Sequence, residues 1–184
     1  MFVIFYFLTF IAGTLAQISR PGSCPYVKPV ENFQPENYTG VWYEIKRYDN
    51  FYELNHKCTC VNVTLESHNR LKLAARYMNS LSGSISNSLA MAYPIKGISI
   101  PQYRVKSSKS ADPHNSVTTI LDTDYTNYSI VYMCQEVEST HLIYLWIFSR
   151  ERTLSLKTLG QRLKVEADNH LPIEYLQLVE QNCS

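Results

Sequence analysis

Between Gly40 and Ser149 the chain is a succession of short segments in which apolar and polar residues alternate, broken by turn-forming residues at roughly ten-residue spacing. Gly40 to Asp49 is aromatic and β-branched. Cys60 to Leu65 sets Val61, Val63 and Leu65 against Asn62 and Thr64, and Leu71, Leu73, Ala75 and Tyr77 share the next alternating face. Ser88 to Tyr93, stopped by Pro94, is a further strand, and Tyr103 with Val105 marks a weaker one. Val117–Leu121 and Asn127–Gln135 read as a hairpin about Asp122–Thr126, and His141–Ser149 is strongly apolar. Such a meander must close as a sandwich or barrel to dispose of its edges. After Arg150 the period changes: Leu156, Leu159, Leu163 and Ala167 recur at three and four, one face of an amphipathic helix ended by Asn169 and Pro172. Tyr175–Glu180 is a last short strand. The expectation is a mainly β fold, an eight-stranded up-and-down antiparallel barrel with one C-terminal α-helix packed outside.

Charge adds little to this pattern. With 17 Lys+Arg against 16 Asp+Glu, nothing electrostatic favours nucleic acid or an anionic membrane as a partner. Residues 1–16 are uncharged, dense in Phe, Ile and Leu, and end in Thr14-Leu15-Ala16, small residues where a signal peptidase reads. We expect a signal peptide there, a single domain over 17–184, and a secreted product. In an oxidising compartment cysteines pair, and Cys24, Cys58, Cys60, Cys134 and Cys183 leave one over. No Cys or His spacing suits a metal. Asn37, Asn62, Asn127 and Asn182 head four glycosylation sequons.

Three separated motifs make the chain resemble a lipocalin: Gly40-Val41-Trp42, preceded by Asn32-Phe33 and Tyr38; Thr123-Asp124-Tyr125 followed by Val131-Tyr132-Met133-Cys134; and Leu145-Trp146-Ile147-Phe148-Ser149-Arg150. Cys24-Pro25, Val27 to Phe33, the Trp-Tyr-Glu-Ile strand and Asn182-Cys183 are similar to the apolipoprotein D and insect bilin-binding subgroup. The resemblance implies that Arg150 stacks on Trp42 to plug the base, and that Thr123, Asp124 and Tyr125 form a structural turn at the same end. It implies disulfides Cys24–Cys134 and Cys58–Cys183, with Cys60 spare. A swap in which Cys60 takes Cys183 stays open, as do a free surface thiol and an oligomer linked through Cys60.

On that footing Cys60 and Asn62 point outward, so Val61 and Val63 face in. Leu73, Ala75 and Tyr77 are assigned inward, and Trp146 and Phe148 share parity with Arg150. Tyr38 and Trp146 match ligand-touching positions in the subgroup. Glu44 shares parity with Trp42, and a buried carboxylate there needs a partner or a raised pKa. Lys46, Arg47 and Arg76 are assigned to a solvated face. The expected function is non-catalytic carriage of a small hydrophobic molecule: a lipid, fatty acid, steroid, retinoid or bilin pigment, with no cofactor beyond such a ligand. Two alternatives are weighed against it. One is a surface-interaction protein, a receptor ligand or inhibitor, whose cavity is secondary. The other is a lipid isomerase using Cys60, disfavoured by its outward parity and by the lack of a His or Arg nearby in sequence to lower its pKa.

Overall fold

The computed structural model describes residues 18–97, 100–107, 116–154, 160, 163–165 and 167–183. The expected signal peptide lies outside them, as do Leu156 and Leu159 of the expected helix face.

Ten strands form one antiparallel sheet. They are β1 (Ile18–Pro21), β2 (Gly40–Tyr48), β3 (His56–Glu66), β4 (Arg70–Asn79), β5 (Ile85–Pro94), β6 (Gln102–Ser107), β7 (Ser116–Thr123), β8 (Tyr128–Val137), β9 (Thr140–Ser149) and β10 (Leu176–Leu178). Strands β2 to β9 follow one another around the barrel, and β9 pairs back onto β2 to close it, with Tyr43 opposite Ser149. Closure removes the free edges that the meander would otherwise expose. β1 continues the sheet outside β9 and β10 does so outside β2. β1 has no counterpart among the sequence expectations. β3 and β5 also begin earlier than the alternation suggested, at His56 and Ile85 rather than Cys60 and Ser88. In β3 the reason is a bulge between Lys57 and Cys60, with Cys58 at φ 54°, which breaks the period without ending the strand.

Two apolar clusters flank the barrel wall. The inner one gathers Tyr38, Trp42, Val63, Leu71, Ala92, Tyr103, Ile120 and Val131. The outer one sets Tyr48, Tyr128, Ile130, Tyr132, Ile143 and Leu145 against Ile18, Val27, Val165 and Leu171 of the flanking segments. β8 and β9 are therefore covered on both faces, which explains their nearly unbroken apolar sequence. The C-terminal segment contains helical residues at 160, 163–165 and 167–168. Its packing corrects the expected face. Leu163 is 47% exposed and Ala167 is exposed, while Val165 is buried. The outer cluster takes the β-branched residue between them, a choice that a count of leucines does not reveal.

Two disulfides tie the flanks to the wall. Cys24–Cys134 holds the N-terminal arm to β8, and Cys58–Cys183 holds the C-terminal tail to β3.

Candidate ligand cavity

The barrel encloses a cavity of about 450 Å³. Its wall is mostly apolar: Val61, Val63, Leu71, Leu73, Ala75, Ala92, Val105, Ile120, Val131, Trp146 and Phe148 contribute from seven strands in turn. The seven strand positions assigned inward, Val61, Val63, Leu73, Ala75, Tyr77, Trp146 and Phe148, stand in that wall, as does Tyr38, singled out by the resemblance.

One end is sealed. The Arg150 guanidinium lies 3.6 Å over the Trp42 ring. Its three nitrogens donate to backbone carbonyls, Nε to Tyr125 (2.9 Å), Nη1 to Val41 (2.9 Å) and Nη2 to Thr39 (2.8 Å). Gly40 adopts φ +98°, and a Cβ there would stand 3.1 Å from Arg150 Nη1, so both conformation and space call for glycine. The Asp124 carboxylate accepts from the backbone N–H groups of Thr126, Asn127 and Tyr128 and from Asn127 Nδ2, while Thr123 Oγ1 donates to the Tyr128 carbonyl. Partial burial pushes the Asp124 pKa up, but those hydrogen bonds together outweigh it and hold the group below its usual value. Tyr38 and Ser129 share a buried hydrogen bond of 2.7 Å, and Trp42 Nε1 donates to the Tyr38 carbonyl. Burial raises the Tyr38 pKa far above that of an ordinary phenol, so this hydroxyl stays neutral.

The opposite end is polar and internally bonded. Glu44 is 1% exposed and accepts a 2.6 Å bond from Arg47 Nη1. Arg47 Nη2 donates to the carbonyls of Glu53 and His56. Arg47 thus lies inside, not on the solvated face first assigned to it. A bulge between Glu44 and Lys46 resets the alternation, so residues three apart share the interior. Arg76 is exposed, and Lys46 is half-buried. Glu53, from the turn after β2, reaches over the wall and accepts from Trp146 Nε1 (2.8 Å) and Asn50 Nδ2 (2.6 Å). His56 stacks on Tyr77 with centroids 3.7 Å apart, and burial lowers its pKa, so it is neutral at physiological pH. Burial first, and then the charge of Glu53, push the Glu44 carboxyl well above its usual value.

A single-ended, apolar-walled barrel plugged by an Arg–Trp stack is the setting for the sequence comparisons. A profile of the lipocalin / cytosolic fatty-acid binding protein family matches residues 39–170. The chain belongs to that family. The bilin-binding protein of Pieris brassicae is 31% identical over 150 residues, covering 80% of this chain and 78% of that protein. Apolipoprotein D of Cavia porcellus is 28% identical over 188 residues, covering 96% and 94%. Among solved structures, apocrustacyanin C1 superposes with a TM-score of 0.79 at 21% identity, over 90% of this chain and 92% of that one. Insecticyanin of Manduca sexta gives 0.74 at 23%, over 89% of each. At those identities the two structures bear on the fold alone.

Within this lipocalin, sequence reading missed the polar end. Asn50, Tyr52, Glu53, His56 and Thr59 all line the cavity. The first four fall in or beside the turn after β2, where no period operates. The only available sign was a turn rich in aromatic and acidic residues. Cys60 is a free, half-buried cysteine outside the cavity wall. Asn37, Asn62, Asn127 and Asn182 are all exposed, but the Asn127 amide already bonds Asp124 and Thr126 within the turn. Among the described residues no cluster of His, Cys, Asp and Glu could hold a metal ion.

Proposed function

We propose that this lipocalin is an extracellular, non-catalytic carrier of one small, predominantly apolar molecule, held inside the barrel. The observation that carries the reading is the cavity itself, sealed at one end by Trp42 and Arg150 and walled by aliphatic and aromatic side chains. Burial supplies the affinity. A ligand losing ~300 Å² of apolar surface gains on the order of 7 kcal/mol before the entropic losses of association, enough for useful binding without special chemistry. Two disulfides fit an oxidising compartment. The name of the Pieris protein places a bilin within the range of ligands to be tested. A thiol-dependent lipid isomerase fits poorly, because Cys60 stands outside the cavity wall.

Native mass spectrometry with a visible spectrum, on protein secreted from eukaryotic cells, tests the reading. A retained apolar mass supports it, and absorption in the red identifies a bilin. A folded barrel that carries nothing and refuses neutral apolar fluorophores overturns it, in favour of a protein that acts through its outer surface.

A further inference from the structure

We propose that the ligand is an apolar amine: its ammonium group lies between the carboxyl groups of Glu44 and Glu53, and its hydrocarbon body fills the barrel. The inference rests on the carrier reading and narrows it.

The charge of the wall is one-sided. Among the described lining residues the charged or chargeable groups, tyrosines aside, are Glu44, Glu53 and His56, with no Lys or Arg. Arg47 is buried on the interior side of β2 but does not line the cavity, and its Nη groups are engaged by Glu44 and by the carbonyls of Glu53 and His56. A ligand carboxylate would therefore meet two acids and find no free cation. Each acid has one oxygen already bonded, Glu44 by Arg47, and Glu53 by Asn50 and Trp146. Burial, and then the charge of Glu53, push the Glu44 carboxyl well above its usual value, so before binding the proton of this pair sits on Glu44.

A separate observation points to a missing partner. Thr59, 4% exposed, lines the same wall, and its hydroxyl has no hydrogen-bond partner. It lies across the strand pair from Glu44, where Gln181 Nε2 bridges the carbonyls of Glu44 (2.7 Å) and Thr59 (2.9 Å). A buried hydroxyl left unpaired is unfavourable, and an ammonium N–H satisfies it as an acceptor. The rings of Trp146 and Tyr77 border the same end and suit a cation.

Binding is then an exchange. The ammonium enters, the Glu44 proton leaves to solvent, and the local charge of Glu44, Glu53, Arg47 and ligand sums to zero. Before binding, one proton on the acid pair with Arg47 opposite also sums to zero. The charged groups acting on Glu44 are Arg47 from its own strand and Glu53 from the following turn; Trp146 of β9 is bonded to Glu53, and His56 of β3 feels Glu53 and Arg47. Burial lowers the His56 pKa, so near pH 8 it is neutral and adds no opposing charge.

The test is displacement of the neutral fluorophore N-phenyl-1-naphthylamine by dodecylamine, dodecanol and dodecanoate, each below its micellar concentration, with the native chain and Glu53→Gln. Dodecylamine should displace the probe at about tenfold lower concentration than dodecanoate near pH 8. Its advantage should shrink toward about pH 5.5 as the acid pair holds its proton more tightly. Glu53→Gln, which leaves Glu44 and Arg47 paired, should reduce the amine preference to about twofold or less. Dodecanol or dodecanoate binding as well as the amine, or a preference that survives Glu53→Gln, overturns the inference and leaves the carrier reading standing. Failure of the native chain to take up the fluorophore or any of the three compounds overturns both.

Discussion

Replacing Arg150 by Lys preserves charge and length but removes a planar group bonded on three sides. The guanidinium stacks 3.6 Å over Trp42 and donates to three carbonyls on two separate segments. A stack of this kind contributes about 1 kcal/mol. A lysine ammonium can reach one of the three carbonyls but cannot fork to all of them, and each lost bond at this half-buried site is worth about 1 kcal/mol. The sum is a destabilisation of about 3 kcal/mol, or a fall in Tm on the order of 6–12 °C for a domain of this size. Arg152 is the internal control. It lies 4.8 Å from the Tyr43 ring, is exposed, and donates a single 3.3 Å bond to Gln181, so Arg152→Lys should lose less than about 1 kcal/mol. Urea unfolding with both disulfides intact reads the difference as a shift of midpoint at constant slope. Equal small shifts in the two variants would refute the assignment of Arg150 as the plug of the barrel.

Two further outcomes follow from buried polar groups. Because the folded-state pKa of Glu44 lies above its unfolded value, its contribution to stability is complete below about pH 4.3 and is lost as pH rises through the folded pKa. Glu44→Gln should therefore gain on the native chain as pH rises from about 4.3 to the folded pKa and hold level beyond it, measured by urea midpoints; a difference that is flat throughout or falls contradicts the burial argument. Tyr38→Phe strands the Ser129 hydroxyl, which is 0% exposed, and should destabilise by about 1–2 kcal/mol. The double variant with Ser129→Ala should recover part of that loss, and strict additivity of the two single effects would show that the bond does not couple them.

The barrel was legible because its strands keep a period of two wherever one face is apolar. Val61, Val63, Leu73 and Ala75 could be placed inside from alternation once one residue of each strand was anchored. Alternation failed at Arg47 because the bulge after Glu44 inserts a residue, and a one-residue insertion leaves no trace in composition while reversing every later assignment. The helical segment was misread because Leu163 and Val165 are both apolar, and only the fold shows that Val165 joins the outer cluster while Leu163 stays exposed. Of the polar end only Glu44 was legible, from its parity with Trp42; the rest lies in or beside an aperiodic turn whose one sign is its aromatic and acidic residues. Glu53 reaches Trp146 across 93 residues of sequence, a meeting that only the closed barrel creates.

The two ends of this barrel spend their polar groups differently. At the sealed end Arg150 and Asp124 bond to backbone groups of neighbouring turns, so each bond fixes the fold. At the open end side chains bond one another as well, Arg47 to Glu44 and Asn50 and Trp146 to Glu53, and the two acids border a space of about 450 Å³ that no side chain fills. Well-packed apolar residues in place of a buried ion pair are often as stable or more so, and an unfilled interior forfeits dispersion contacts, so neither feature is explained by stability. Both are tolerable because the shell is closed by hydrogen bonds on every edge and braced by disulfides spanning 110 and 125 residues. In the chain-entropy model each is worth roughly 4–5 kcal/mol. A framework with that reserve can leave its centre empty and keep acids buried there. On the carrier reading proposed above, those acids would then serve to select the ligand rather than the fold.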